Sequence, residues 1–418
     1  MKNLLLGLLT GALIGGCALT DMDMPKNIAQ SENDKFVLKV ALYPWIPEPD
    51  KFAEWIEDRF ESENPDIDLV VRTMSVATDW ENGVDLAYNL DAAAASLANE
   101  NFSDQQHIVE VDTLILGALA ERNVIQPFSS TKGDFYKFAN DAVTYEGQKW
   151  GVPHWTCGYF LMTTHPKVSQ ATNAIELKNE LERLNTVHPD LGGYLKGSWT
   201  SLALYLDSFV DTFPDRSPTE AVADKTINPT ILPYLRAIGE ACENAGESTC
   251  DDWESRAIEF GGKKLDALIG YSERLHISLS NEKSVLNANE VLVTPAPLGG
   301  GKTPYFFTDA LVLSKNCETQ RCKDASSVFA NFYVRDDILA YSMMGKDYET
   351  SDVPRYLLPA TKGALQSPIV VRDPIYSQLS GFMQEAIPYP NSGVPAARKT
   401  VVDGPIEGQI QTLINNER

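Results

Sequence analysis

Two short apolar runs separated by an amphipathic segment, within residues 36–74, limit the fold more than any other feature. The first run, FVLKVALY at 36–43, has the length and β-branched content of a buried strand. The apolar residues of the middle segment recur at helical spacing: Phe52, Trp55, Ile56 and Phe60. Pro65 ends that helix, and IDLVVRTM at 67–74 predicts the next strand. Strands that alternate with helices indicate an α/β sheet.

The same alternation continues, with a predicted strand near residues 107–112 and a helix before Pro127. The chain has 418 residues, which is enough for a large core split into two lobes. Its composition, 43% hydrophobic and 22% charged, is that of an ordinary soluble protein.

The chain is strongly acidic, with 58 Asp and Glu residues against 35 Lys and Arg residues. Such a surface repels phosphate backbones, so we expect no nucleic-acid partner. The charge is compatible with a neutral or cationic small ligand. Solubility alone also explains it, and for the net charge by itself this simpler explanation is preferred.

The N-terminus reads as an export signal. Lys2 precedes an apolar stretch from Leu4 to Ile14, which is too short for a lasting membrane span. Ile14-Gly15-Gly16-Cys17 resembles a bacterial lipobox, which predicts a signal peptide at 1–16 and lipidation of Cys17. Because Ala18 is not aspartate, the resemblance implies an anchor in the outer membrane, on its periplasmic face or at the cell surface. A polar tether follows at 17–35.

Six cysteines are present: Cys17, Cys157, Cys242, Cys250, Cys317 and Cys322. Export places them in an oxidising compartment, and two local disulfides, Cys242–Cys250 and Cys317–Cys322, are the most economical pairing. Sequence alone does not determine the connectivity. A zinc site is less favoured, because there is no CxxC and no histidine nearby. With Cys17 lipidated, Cys157 is left without a partner.

Several stretches resemble known proteins. NPDIDLVV, LAERNVIQPF and YEGQKWGVPHW are similar to segments of bacterial extracellular solute-binding proteins. LYPWIP, VPHWTCGYF, GYSE and FFTDALVL, in that order, resemble thiaminase I (thiamine pyridinylase), an enzyme family on the same fold. The resemblance covers most of the mature chain. It implies a two-lobed α/β fold of the periplasmic-binding-protein type, with a central cleft and a hinge.

On this fold we expect lobe 1 at 36–147 with about 300–345 and lobe 2 at 148–299 with about 346–418. The resemblance makes Cys157 the nucleophile and Glu273, in GYSE, the residue that activates it. It also marks Asp112 as a substrate contact. Phe307 departs from the family pattern, where a tyrosine is expected, so a hydrogen bond from this ring is in doubt but its stacking is not.

Chemistry supports the same roles. Thiamine joins an aminopyrimidine to a thiazolium through a methylene group, and a soft nucleophile that adds to the pyrimidine helps to expel the thiazole. Cysteine is the best such side chain, and it needs a base because a free thiol is mostly protonated near neutral pH. A partly buried carboxylate with a raised pKa suits that role.

Strand periodicity groups the remaining candidates. Tyr271 and Glu273 are two apart, as are Phe307 and Asp309, so on strands each pair offers one ring and one carboxylate on one face. The carboxylates can accept from the pyrimidine amino group, and rings can stack on the pyrimidine or attract the thiazolium. Further rings that we expect to contact substrate are Tyr43, Trp45, Trp155 and Tyr159.

Each candidate has a simpler explanation. Cys157 and the aromatic residues can be packed core, Glu273 can be a surface acid paired with Arg274, and Asp309 can cap a turn. His154 is a possible partner of Cys157, but three residues apart on a strand the two side chains face opposite sides. No histidine pair has metal-ligand spacing, so neither a metal nor a cofactor is expected.

The sequence therefore predicts an exported thiamine pyridinylase that transfers the aminopyrimidine to a second nucleophile, such as pyridine, aniline, another amine or a thiol. The alternative is a non-catalytic lipoprotein that delivers thiamine or a related pyrimidine to an ABC transporter. A third reading is an unrelated cysteine hydrolase. It predicts an oxyanion hole and a histidine base, and nothing in the sequence requires either. We expect a monomer.

Overall fold

The computed structural model describes residues 35–74, 97, 106–184, 191–195, 198–217, 220–221, 226–244, 247–347, 352–393 and 405–414. The predicted signal peptide, Cys17 and the tether up to residue 34 lie outside the described residues. Within these ranges, no helix combines the length and the apolar character that a membrane-crossing segment needs.

The first strand, helix and second strand form as their apolar patterns predict. β1 is Phe36–Leu42, α1 is Pro49–Glu63 and β2 is Ile67–Thr73. The proline that opens α1 sits where its missing N–H costs no hydrogen bond. The buried side of α1 carries the apolar residues that pack with β1 and β2, namely Phe52, Ile56 and Phe60.

The other strands and helices alternate along the rest of the chain. The strands are β3 Ile108–Asp112, β4 Ile125–Gln126, β5 Thr144–Tyr145, β6 Gln148–Lys149, β7 Val152–Gly158, β8 Phe160–Thr163, β9 Leu191–Gly193, β10 Glu243–Asn244, β11 Glu247–Ser248, β12 Ala267–Gly270, β13 Leu292–Pro295, β14 Tyr305–Ser314, β15 Leu358–Pro359 and β16 Ile387–Pro388. The helices are α2 Leu116–Glu121, α3 Lys137–Ala142, α4 Pro166–Ser169, α5 Ala174–Leu184, α6 Ser198–Thr212, α7 Leu232–Ala241, α8 Trp253–Gly261, α9 Arg274–Ser280, α10 Gln320–Tyr333, α11 Asp336–Met343, α12 Lys362–Leu365, α13 Pro374–Phe382 and α14 Pro405–Ile414, with 3₁₀ turns at Thr113–Ile115 and Ala288–Glu290.

Two sheets position the candidate site. The larger sheet has the order β15-β7-β14-β3-β1-β2, with β4 and β16 added beside β14. β1 runs parallel to β2 and β3, whereas β14 runs antiparallel to β3 and β7. The smaller sheet has the order β13-β8-β12-β9. The chain passes from one sheet to the other between β7 and β8, at Tyr159.

The segment GYSE differs from its prediction as a strand. β12 ends at Gly270, which pairs with Phe160, the first residue of β8. Beyond this point β8 offers no further partner, because the chain there crosses to the larger sheet at Tyr159. Residues 271–273 therefore form a turn, and Glu273 lies immediately before α9. The prediction that Tyr271 and Glu273 share one face of a strand is wrong.

Both predicted disulfides are confirmed. Cys242 and Cys250 join the end of α7 to the segment after β11, with their Cα atoms 5.4 Å apart. Cys317 and Cys322 link the end of β14 to the first turn of α10, with a Cα separation of 5.5 Å. Cys157 has a free thiol.

Candidate active site

Cys157 lies near the end of β7, one residue before the chain leaves the larger sheet. It pairs directly with Phe307 on β14, so the two side chains leave the sheet on the same side. The thiol is partly buried, and its neighbours in the apolar cluster include Tyr159, Tyr271 and Phe307. A free, partly accessible cysteine at a strand end is placed to react as well as to pack.

Carboxyl groups gather beside this cysteine. Asp309 on β14 is the direct partner of Asp112, the last residue of β3. Like charges on directly paired residues are destabilising in a sheet, so this pair has a cost that packing does not explain. Both acids, together with Glu273, raise the pKa of the Cys157 thiol.

The pKa of Cys157 lies well above that of a free cysteine. Burial is the largest cause, followed by the negative charges of Asp309, Glu273 and Asp112, while Arg274 acts in the opposite direction. The thiol is therefore protonated near neutral pH. A reaction through this sulfur needs a base that takes its proton as the new bond forms.

Glu273 has the properties of such a base. Its residue is only 9% exposed, and burial raises the pKa of its carboxyl, with Arg274 as the opposing charge. The Arg274 guanidinium is 3.9 Å from a Glu273 carboxylate oxygen and lies 4.1 Å from the centre of the Trp253 ring. Glu273 is thus a buried acid with one long ion pair, not an exposed acid in a surface salt bridge.

Asp309 also holds its proton more strongly than an ordinary aspartate does. Its pKa is raised well above the usual range by burial, then by the charges of Glu110, Asp112 and Glu273. Closely spaced carboxyl groups in a poorly solvated site cannot all ionise together. The cluster is therefore suited to bind a cationic ligand or a ligand that donates several hydrogen bonds.

Tyr43 anchors the cluster from the end of β1. The backbone N–H of Asp112 donates to its phenol oxygen at 2.9 Å, and its own backbone N–H donates to Glu110 at 2.6 Å. Burial raises the pKa of the Tyr43 phenol, with further contributions from Asp309 and Asp112. The structure therefore brings Tyr43 together with the predicted acids.

Glu110 is a residue that the sequence reasoning missed. It is 4% exposed and also contacts His154 Nε2 at 2.8 Å. An acid inside the apolar strand IVEVD was the available signal, because it lies two residues before Asp112 on the same face. The contact with Glu110 occupies His154, which is fully buried and also packs edge-on against Tyr333.

Three predicted aromatic residues meet around Cys157. The Tyr159 and Tyr271 rings stack at 5.0 Å, and Phe307 meets Tyr271 edge-on at 6.0 Å. Tyr389, which the sequence reasoning also missed, stacks on Phe307 at 3.9 Å. This stacking covers part of the Phe307 ring, at the position where the sequence resemblance leads us to expect tyrosine.

The two predicted tryptophans lie outside the ring cluster around Cys157, although Trp155 is the direct sheet partner of Asp309. Trp155 belongs to a different buried cluster, which includes Phe160 and Phe306. Trp45 is 41% exposed in the segment between β1 and α1. Substrate contact by these two residues stays a prediction. Among the residues that the structure describes, no group of histidine, cysteine and acidic side chains is arranged to hold a metal ion.

Comparison with known proteins identifies the relatives of this chain. No family model matches it. Thiaminase-1 of Paenibacillus thiaminolyticus is 25% identical over 370 residues, covering 83% of this chain and 81% of the relative. The structure of Clostridium botulinum thiaminase I in complex with thiamin has a TM-score of 0.66 at 18% identity, with 91% of this chain and 99% of that chain covered.

Maltose-bound MalE3 of T. maritima has the same TM-score of 0.66 at 14% identity, covering 91% of this chain and 98% of that chain. The predicted fold class is therefore confirmed. The chain is a homologue of thiaminase I, built on the two-lobed α/β fold that this enzyme shares with sugar-binding proteins.

Proposed function

We propose that this protein is a thiamine pyridinylase that uses Cys157 as its nucleophile and Glu273 as its base. One observation carries the proposal: the single free cysteine of the described chain lies within electrostatic reach of Glu273, Asp309 and Asp112. Its sequence relative is a thiaminase, and a structural neighbour holds thiamin.

The reaction begins with the Cys157 proton, which passes to the Glu273 carboxylate. The sulfur forms a bond to a carbon of the pyrimidine ring, and electrons from the ring break the bond between the methylene carbon and the thiazolium nitrogen. That electron pair stays on nitrogen, so the thiazole leaves as a neutral molecule. Glu273 keeps the proton during this half of the reaction.

The second half restores the ring. The lone pair of a nitrogen or sulfur nucleophile attacks the methylene carbon, and the bond between sulfur and the pyrimidine breaks. The sulfur recovers its proton from Glu273, so the enzyme returns to its starting state. Atoms and charges balance, because a cationic thiamine and a neutral pyridine give a cationic product and a neutral thiazole.

Binding is assigned to the acids and rings beside Cys157. Asp309 and Asp112 are suited to the pyrimidine amino group and to the positive charge of thiamine, and Tyr43 fixes the position of Asp112. The rings of Tyr271 and Phe307 offer apolar surface for the planar heterocycles. The pKa of the Asp309 carboxyl is raised and a nearby cation lowers it, so thiamine binding favours release of a proton from Asp309.

We also propose that the chain is exported, anchored by a lipid on Cys17, and monomeric. The lipobox-like Ile14-Gly15-Gly16-Cys17 and the two disulfides support export. A protein lacking this lipid should leave the membrane fraction, which membrane fractionation of the Cys17→Ala variant tests directly.

The experiment is incubation of the purified mature protein with thiamine and pyridine, followed by chromatography of both products. Thiamine should be consumed and thiazole released in equal amounts. A folded protein that binds thiamine and returns it unchanged is a carrier, and this outcome contradicts the proposal. The Arg216→Gln variant, changed at an exposed position in the loop after α6, is the control for effects of substitution and purification.

A further inference from the structure

A pocket beside the Cys157 site shares two rings with it, Tyr159 and Tyr271. It is lined by Tyr159, Gly193, Tyr194, Trp253, Tyr271 and Arg274. The space between them, including its open mouth, is about 320 Å³. Tyr159 and Tyr271 line this pocket and also pack in the same cluster as Cys157, so the pocket lies directly beside the reacting cysteine.

Arg274 gives the pocket a charge unlike that of the cysteine side. Its side chain is 19% exposed, and its guanidinium carbon lies over the Trp253 ring, 4.1 Å from the ring centre. The Glu273 oxygen at 3.9 Å is beyond hydrogen-bond distance. Within the described part of the chain its guanidinium N–H groups make no hydrogen bond, so they are available to a ligand.

Such an arginine recognises planar anions. The guanidinium presents a rigid fork of donors that matches a carboxylate or sulfonate, and its contact with the Trp253 ring restrains the side chain. Trp253 is 38% exposed, which leaves ring surface for a flat ligand beside the fork. The chain carries a net charge of −23, so the positive charge at this position is opposite in sign to that of the protein as a whole.

We propose that this pocket receives the second substrate, and that Arg274 selects nucleophiles that carry an anionic group. The inference rests on the proposed function and names the co-substrate class that the function leaves open. The ring nitrogen of a pyridine carboxylate attacks the methylene carbon while its carboxylate stays on Arg274. Arg274 is a specificity-determining residue in this account, and it repels the cationic thiazolium from the same pocket.

The test compares pyridine-3-carboxylate with pyridine-3-carboxamide as co-substrates at saturating thiamine. The two compounds have a similar shape and differ in charge. For each protein the kcat/KM value with the carboxylate is divided by the value with the carboxamide. Comparing this ratio between a variant and the unchanged protein removes the difference in intrinsic reactivity of the two compounds. Arg274→Gln should lower the carboxylate-to-carboxamide ratio about tenfold, and Arg274→Lys should lower it less. Arg216→Gln is the matched control, because Arg216 also stacks on aromatic rings and pairs with an acid, Glu220.

Arg274 also affects the pKa of Glu273, and the ratio separates the two roles. A change in the pKa of Glu273 alters the rates with both co-substrates equally and shifts the pH profile of kcat/KM for thiamine. An unchanged ratio in an active Arg274→Gln protein overturns the inference and leaves the proposed function intact. Absence of thiamine consumption by the unchanged protein with pyridine or aniline overturns the proposed function itself.

Discussion

The sheet and the turn on either side of Cys157 hold their carboxyl groups in different ways. Asp309 and Asp112 are locked opposite each other by the hydrogen-bonded register of β14 and β3. Glu273 lies in a turn beyond the last pair of β12, and its neighbour Ser272 donates a 2.6 Å hydrogen bond to the carbonyl of Tyr356. The sheet therefore builds in charge repulsion, whereas the turn positions a single base.

This difference separates binding from chemistry. The sheet acids favour a cation because their repulsion is relieved only when one arrives or when a proton is kept. The turn acid has an opposing charge in Arg274 and a less extreme environment, so it can exchange a proton with the thiol. Substitutions on the two sides should consequently have different signatures.

The largest expected effect belongs to the residue between the two regions. Cys157→Ala should reduce kcat by about 10³-fold or more, because no other side chain supplies the covalent bond. Thiamine binding should be retained, since the acids and rings are unchanged. Calorimetric titration with thiamine and the consumption assay measure the two effects; a variant that still turns over normally excludes Cys157 as the nucleophile.

Glu273→Gln removes the base that the turn positions. We expect kcat/KM for thiamine to fall by about 10²–10⁴-fold, because the neutral amide cannot accept the thiol proton. In the unchanged enzyme this rate should rise with pH through the Glu273 pKa, which burial places above the usual carboxyl range. The variant should lose that limb of the pH profile. Glu290→Gln, at an exposed ion pair, is the control and should keep it.

Asp309→Asn removes one of the paired acids of the sheet. It should change thiamine affinity and protein stability in opposite directions. Thiamine affinity should fall about tenfold, because one charge that faces the cation is lost. The raised pKa means that, as pH rises above the unfolded-state value, the unfolded chain loses its proton first and native stability falls until the folded-state pKa is passed.

The amide is neutral at every pH, so Asp309→Asn should have a higher free energy of unfolding than the unchanged protein near neutral pH. The difference should disappear in acid, where Asp309 is protonated in both states. Denaturant melts at several pH values check this. A variant that is less stable at neutral pH contradicts the assignment of a strained carboxyl cluster.

The smallest effect is expected from the hydrogen bond that fixes the turn before α9. Ser272→Ala removes the hydrogen bond to the Tyr356 carbonyl and should lower the free energy of unfolding by about 1–2 kcal/mol. We expect kcat to fall a few-fold while thiamine affinity is kept, since the sheet acids do not move. Ser278→Ala, buried within α9, is the control, and equal losses of kcat in both variants would remove any special role for the turn.

Much of this arrangement follows from sequence patterns, and the exceptions have physical causes. The first strand–helix–strand unit, both disulfides and the strand position shared by Phe307 and Asp309 follow from periodicity and cysteine spacing. The turn at Glu273 does not, because β12 ends only where its neighbour β8 begins, and that pairing joins residues far apart in the chain.

Glu110 and Tyr389 show the same limit for the site. Glu110 lies in an apolar strand whose pattern marks it as buried but does not name its partners, Tyr43 and His154. Tyr389 reaches Phe307 from a segment more than eighty residues downstream. Contacts of this kind depend on tertiary packing, which local periodicity does not encode.

The central claim is that thiamine reacts with the sulfur of Cys157, and mass spectrometry of the intact protein tests it most directly. The purified protein is mixed with thiamine without a second nucleophile, quenched in acid, and mapped by peptide digestion. The account predicts a mass increase equal to that of the aminopyrimidinylmethyl group less one hydrogen. It should be located on Cys157, be absent from Cys157→Ala and be lost when pyridine is added before the quench. Release of thiazole with no adduct on Cys157 would contradict it.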